Sequence, residues 1–231
     1  MNNTNYGDIV NGFAAHKKNK ESIDWRLGYT PVLHELGNVM GQKIFDLGCG
    51  PANFSAGLTQ LGAHVIGVDS DSTVIAEARV VDPLGDYRVS QGCLVDECAG
   101  VKIDIIIATF SLCAMADCEL HPVLHDLRRM LKTGGKFIIL EPNQEKSNGV
   151  KYADIHYHYK EGVKTGDLVD VTLGDQPIPP DIYRTHADYR ELLEEAGFII
   201  DAMTEPVPDR AEEGERELEL KYPPFLLITC H

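Results

Sequence analysis

Short apolar runs alternate with amphipathic stretches along most of this chain, and that alternation constrains the fold more than any other feature. The predicted strands are Lys43–Leu47, Ala63–Val68, Tyr87–Ser90, Ile103–Thr109, Lys136–Leu140, Phe198–Met203 and Phe225–Thr229. The predicted helices between them are Asn53–Leu61, Ser72–Val80, Glu119–Leu131 and His186–Ala196. Strands and helices in this order predict an α/β fold, a parallel sheet with helices on both faces.

The last two predicted strands have no helix between them. Their link, Glu205–Pro224, carries four prolines and a run of charges. Such a helix-free link suits an antiparallel pair at the edge of a sheet, because the crossover between parallel strands is usually helical. We therefore predict a seven-stranded, mostly parallel sheet with an antiparallel last strand, in a three-layer sandwich.

Length and charge exclude several classes of protein. A chain of 231 residues fits one α/β domain, and we predict a single domain over residues 1–231. The net charge of −15 disfavours nucleic acid and anionic lipid as partners. No apolar run approaches the length of a membrane span, and the polar N-terminus has no signal-peptide core. We expect a cytoplasmic monomer or homodimer with reduced cysteines.

One stretch, residues 142–185, does not fit the alternation of strands and helices. It is rich in tyrosine and histidine, which argues against disorder. A long insertion in a compact domain is usually functional. We predict that it forms a cap over a substrate site.

The ends of the first two strands carry the residues with the clearest chemistry. Asp46 precedes the glycine pair Gly48 and Gly50, whose backbone can turn sharply and approach a ligand closely. Asn53 stands where a dinucleotide-binding fingerprint has its third glycine, and this weakens the interpretation that the site binds a nicotinamide dinucleotide. Asp69 ends the second strand, where an acid can accept hydrogen bonds from both ribose hydroxyls.

These motifs together resemble the class I S-adenosylmethionine-dependent methyltransferases, and within them the small-molecule type 11/25 group. The resemblance lies in DLGCG, then VIGVD, then the apolar strand IDIIIAT, and then LKTGGKFIILEP. It covers residues 22–141 well and continues more loosely to the last strand. It implies a Rossmann-like fold and S-adenosyl-L-methionine as cofactor.

The resemblance also implies a role for individual residues. Asp46 would reach the ammonium of the cofactor, Arg26 its carboxylate, and Asp69 its ribose. Cys93 and Leu94 stand where the family places a Gly-Asp-Ala segment against the adenine. The whole implied cofactor-binding set is Arg26, Asp46, Gly48, Cys49, Gly50, Asn53, Asp69, Ser70, Cys93, Leu94, Thr109 and Phe110.

No catalytic base is evident after the fourth strand. Many related O-methyltransferases carry a glutamate–histidine pair there, whereas this chain has Ser111–Met115 without an acid or a histidine. The candidate catalytic residues are Glu141 at the end of the fifth strand and the predicted cap's His156 and His158, with Tyr159 as a further candidate. His121 and His125 have helical spacing but no third ligand nearby, so no metal site is predicted.

The predicted function is methyl transfer to an oxygen or nitrogen of a small molecule. An aromatic cap suggests an acceptor that is aromatic or partly apolar. Two alternatives stay open at this point. One is a non-catalytic protein that binds S-adenosylmethionine or a partner, and the other is an NAD-dependent oxidoreductase, against which Asp46 and the missing third glycine argue.

Overall fold

The structure is a computed structural model that describes residues 22–90, 94, 100–152, 155–208 and 217–231. Its main sheet has seven strands in the order β3-β2-β1-β4-β5-β10-β9. These are β1 Lys43–Leu47, β2 His64–Asp69, β3 Asp86–Val89, β4 Ile103–Thr109, β5 Leu131–Pro142, β9 Ile200–Thr204 and β10 Phe225–Cys230. β10 runs antiparallel to both β5 and β9, and the pairs among β1 to β5 are parallel. The predicted Rossmann-like α/β sheet with its antiparallel last strand is confirmed.

Helices cover both faces of this sheet. A π-helix, Asp24–Tyr29, and a short 3₁₀ turn, Leu112–Ala114, accompany the α-helices. The α-helices are α1 Thr30–Leu36, α2 Ser55–Gln60, α3 Ser72–Val81, α4 Asp117–Met130, α5 His186–Glu195 and α6 Glu217–Lys221. None of the helices in the described ranges is both long and apolar enough to cross a membrane.

The central strand β4 explains why the sheet has two covered faces. Ile105 and Ile107 belong to one hydrophobic core and Ile106 and Ala108 to the other, because neighbouring strand residues point to opposite faces. All four side chains are buried. A run without polar positions is what a parallel strand buried on both sides requires.

The start of β5 differs from its prediction, whereas the start of α3 does not. β5 begins at Leu131 rather than Lys136, because Leu131 pairs with Ile103 before the register changes. α3 begins where Asp71 caps it: the Asp71 carboxylate accepts hydrogen bonds from the amides of Thr73 and Val74. The predicted helix start at this position is therefore also seen in the structure.

Residues 142–185 contain a second sheet that the sequence analysis did not find. It has three antiparallel strands, β6 Ile155–His158, β7 Leu168–Leu173 and β8 Gln176–Ile182. Strand β8 was not predicted because it contains prolines at 177, 179 and 180, and proline has no N–H to donate to a β-ladder. Proline is tolerated here because β8 is an edge strand of the small sheet. Tyr157, Val169 and Val171 join the same core as the main sheet.

Candidate active site

A cavity of about 1020 Å³ opens at the carboxyl ends of β1, β2 and β4. Open α/β sheets bind ligands at this edge. Its floor comes from the strand ends and from the start of α4, and the small sheet β6–β8 covers it from the other side. The volume is at the upper end of the range of ~300–1,000 Å³ that is usual for small-molecule sites.

The glycine turn after β1 forms one wall of the cavity. Gly48 and Gly50 both line it, with backbone φ angles of +70° and +54°. The amides of Gly48 and Cys49 donate to the carbonyl of Val68 at 2.8 and 3.0 Å, which ties the turn to β2. A Cβ on Gly48 would lie 2.5 Å from the Cβ of Ser111, so the turn and the end of β4 touch there because the residue is glycine.

Asp69 lies in the cavity wall at the end of β2, as the sequence predicts for a ribose-binding acid. Its Oδ2 accepts from the amide of Gly50 at 3.1 Å and its Oδ1 from the amide of Asp71 at 3.0 Å. These bonds fix the carboxylate between the glycine turn and the start of α3. Ser70, also predicted, lines the cavity beside it.

Four of the predicted cofactor ligands lie outside the cavity wall: Arg26, Asp46, Cys49 and Asn53. Asp46 is 2% exposed and accepts a hydrogen bond from the hydroxyl of Ser55 on α2. This hydrogen bond joins β1 to the start of α2, on either side of the glycine turn. The wall instead includes Asp24 of the π-helix, an acid that the sequence analysis did not select.

The end of β4 supplies Thr109 and Phe110, both predicted and both in the wall. Phe110 has a φ of +54°, which is uncommon for a residue other than glycine. Its amide donates a hydrogen bond to the carbonyl of Leu140 at 2.8 Å. The centroid of its ring lies 5.9 Å from that of Tyr29 and 5.2 Å from that of Phe225. These contacts hold the strained backbone in place.

The predicted adenine segment is only partly described. Leu94 is 2% exposed and lines the cavity. Cys93 lies outside the described residues.

Glu141 is placed differently from the predicted catalytic role. It is fully buried, lies outside the cavity wall, and accepts hydrogen bonds from the backbone amides of Ser111, Leu112 and Cys113. Burial raises the pKa of Glu141 to about 7, although hydrogen bonds from Cys113 and Leu112 oppose the shift. The carboxyl thus stabilises the turn after β4, and a catalytic role for Glu141 stays a prediction.

His156 and His158 also lie away from the cavity wall. They alternate along β6 with Ile155 and Tyr157, which do line it, so the two imidazoles point to the opposite face. Their ring centroids are 4.1 Å apart, and His158 is exposed. The two histidines therefore lie on the side of β6 that does not line the cavity, and their catalytic role stays a prediction.

Tyr159, the further candidate, also lies outside the wall. Its hydroxyl shares a 2.7 Å hydrogen bond with Ser147 Oγ.

Asp181 is the acid that the small sheet β6–β8 contributes to the cavity wall, and it was not predicted from the sequence. It lies on β8, is 9% exposed, and lines the cavity. Burial raises the pKa of Asp181 to about 6, and the neutral side chains of Cys113 and Gln144 oppose the shift. Asp181 follows two prolines, and it could not be recognised as a cavity residue from the sequence because its strand, β8, was not predicted.

The charged side chains among the described residues of the cavity wall are all carboxylates. The wall contains five carboxylates, whereas no lysine, arginine or histidine among the described residues lines it. The acids are Asp24, Asp69, Glu119, Asp126 and Asp181. Such a field favours positively charged ligands and disfavours phosphates.

Comparison with known proteins agrees with this geometry. Residues 44–135 match the family model described as a methyltransferase domain. An uncharacterized methyltransferase of Synechocystis sp. is 30% identical over 110 residues, which cover 47% of this chain and 51% of that protein. A ubiquinone biosynthesis O-methyltransferase of Nitrobacter winogradskyi is 33% identical over 102 residues, covering 43% and 38%. The chain thus spans about half the length or less of these two curated relatives.

A solved structure shares the fold over nearly the whole chain. The S-adenosylmethionine-dependent methyltransferase of Mesorhizobium loti superposes with a TM-score of 0.66 at 20% identity, covering 91% of this chain and 98% of that one. The match over 44–135 contains β1 to β4 and most of the cavity floor. The resemblance seen in the sequence is confirmed in that residues 44–135 match a methyltransferase domain and the chain shares the fold of a solved S-adenosylmethionine-dependent methyltransferase.

Proposed function

We propose that this cavity binds S-adenosylmethionine and that the protein transfers the cofactor's methyl group to an oxygen or nitrogen of a small, partly apolar molecule. One observation carries the proposal: an acidic cavity lies at the carboxyl ends of β1, β2 and β4, with a glycine turn and Asp69 in its wall. The methyltransferase-domain match over the same strands supports it.

The chemistry of the wall fits the cofactor. S-adenosylmethionine carries two positive groups, its sulfonium and its ammonium, and the wall offers carboxylates without a basic side chain among the described lining residues. Asp69 at the end of β2 suits a ribose diol, since a carboxylate accepts several hydrogen bonds at once. A nicotinamide dinucleotide would bring its pyrophosphate into the same acidic field, which is unfavourable.

The bound cofactor supplies an activated methyl group, so this chain needs to bind, orient and exclude water. Gly48 and Gly50 bring the backbone close to the cofactor, and Thr109 and Phe110 lie at the central strand's end, where the family resemblance puts the methyl group. The small sheet β6–β8 is proposed as the cap that holds the acceptor in line with that group. Its apolar wall would keep water from the reacting atoms.

A methyl-transfer assay tests the proposal. S-adenosylmethionine with a labelled methyl group is incubated with the protein and a panel of small phenols, alcohols and amines. Label should appear on at least one acceptor with the wild type, and the rate should fall by about a hundredfold in Asp69→Ala, the loss of about two polar contacts to the cofactor.

The control is Leu84→Ala, because Leu84 is 84% exposed and is not part of the cavity wall. It should leave the rate unchanged. Cofactor binding without transfer to any acceptor would favour a non-catalytic binding protein. A folded protein that binds no S-adenosylmethionine would contradict the proposal.

A further inference from the structure

The cap side of the cavity combines an apolar surface with one buried acid. The apolar lining residues from the small sheet are Ile155, Tyr157, Val171, Leu173, Ile178 and Pro179. Asp181 is the acid that the same sheet contributes to the wall. An apolar pocket with a single placed polar group fixes the orientation of its ligand through that group.

The charge of Asp181 is not matched by a base in the described wall. The nearest basic residue in the chain, Arg184, is 1% exposed and is used elsewhere. Its guanidinium donates to Asp117 Oδ1 at 2.7 Å and to the carbonyls of Leu112 and Met115 at 2.9 and 2.5 Å. The side chains of Cys113 and Gln144, which lower the pKa of Asp181 against the effect of burial, are both neutral.

A buried carboxylate with neutral partners is costly to ionise, and a cation brought by a ligand lowers that cost. Burial raises the pKa of Asp181 to about 6, so the group still carries its charge at neutral pH. A carboxylate of that basicity is a weak base toward a phenol or an alcohol, whose pKa values are far higher. An alkyl amine reaches the site mostly as its ammonium, which supplies the cation beside Asp181. Loss of one proton from that ammonium to solvent leaves a neutral amine with a free lone pair, without a strong base in the wall.

We propose that the methyl acceptor is an apolar amine whose nitrogen is held by the Asp181 carboxylate, an inference that rests on the proposed function. The neutral amine donates an N–H to Asp181 and directs its lone pair at the methyl carbon. The new nitrogen–carbon bond forms as the methyl–sulfur bond breaks, and the electron pair of that bond stays on sulfur. The positive charge lost by sulfur appears on the nitrogen beside Asp181, where a fixed carboxylate stabilises it.

Equilibrium binding without turnover tests this inference. The protein is saturated with S-adenosylhomocysteine and titrated with 2-phenylethylamine, 2-phenylethanol and 3-phenylpropanoate, which share one apolar body and differ in the polar end. The amine should bind the wild type about tenfold or more tighter than the alcohol, with the carboxylate weakest. Asp181→Asn should lose that preference while its affinity for the alcohol stays within about twofold.

The matched control is Asp170→Asn, the same change on an exposed residue of β7 in the same small sheet. It should keep the preference for the amine. Equal affinities of the amine and the alcohol for the wild type, or no amine binding, would overturn the inference, and this comparison needs no variant to fold. Failure here with S-adenosylmethionine still bound would leave the proposed function standing, whereas loss of cofactor binding would remove both.

Discussion

The contact between the glycine turn and the end of β4 can be tested with one pair of substitutions. Gly48 and Gly50 both have a positive φ, so Gly48→Ala and Gly50→Ala share the cost of a left-handed alanine, about 1–2 kcal/mol. Only the Cβ on Gly48 would meet another atom, 2.5 Å from Ser111 Cβ, whereas nothing lies within 4 Å of one on Gly50. Overpacking of this kind adds about 1–3 kcal/mol.

Urea unfolding of the two variants measures the difference directly. Gly48→Ala should lower the free energy of unfolding by about 1–3 kcal/mol more than Gly50→Ala does. Ser111→Gly removes the opposing carbon, and Ser111 Oγ has no hydrogen-bond partner among the described residues, so little else is lost. The double variant Gly48→Ala/Ser111→Gly should recover most of the extra cost.

An equal decrease in the free energy of unfolding of the two glycine variants would refute the reasoning, because the backbone cost that they share would then account for the whole decrease. A double variant whose losses simply add would refute it as well. Either result would mean that the turn and β4 are not in the close contact that shapes this wall of the cavity.

The remaining predictions concern buried charges. Burial raises the pKa of Glu141 to about 7, so the folded state binds the proton of this carboxyl more tightly than the unfolded state does. The protonated carboxyl therefore contributes its full stability below about pH 4.5, and this contribution is lost as pH rises through about 7. The free energy of unfolding of the wild type minus that of Glu141→Gln should therefore fall by on the order of 3 kcal/mol between about pH 5 and pH 8, and a constant difference would contradict this. Arg184→Gln should cost about 2–4 kcal/mol in urea unfolding, because the carbonyls of Leu112 and Met115 lose their buried donor; a loss below about 0.5 kcal/mol would show that these bonds contribute little.

The sheet could be predicted from the sequence because its signals are local. The predicted limits of β4, Ile103–Thr109, are those of the structure, since every position but Asp104 and Thr109 is apolar. The glycine turn and Asp69 could also be placed, because the carboxyl ends of parallel strands meet at one edge of the sheet.

The residues that the small sheet contributes to the cavity could not be predicted. Strands β6 to β8 were not recognised in the sequence, so it was not known which of their side chains face the cavity. One residue of register decides whether β6 turns Tyr157 or His156 toward the cavity, and the sequence alone gave no anchor for it. Asp181 was missed for the same reason. Glu141 was placed at the correct strand end, but the three amides that bind it come from a turn about 30 residues away.

The central claim is that the acidic cavity binds S-adenosylmethionine through Asp69, and calorimetric titration tests it most directly. The cofactor is titrated into the wild type and into Asp69→Ala, with NAD as the competing ligand. We expect micromolar binding to the wild type, an affinity at least about tenfold weaker in the variant, and no comparable binding of NAD. A folded wild type that does not bind the cofactor, equal binding by the two proteins, or a preference for NAD would contradict the claim.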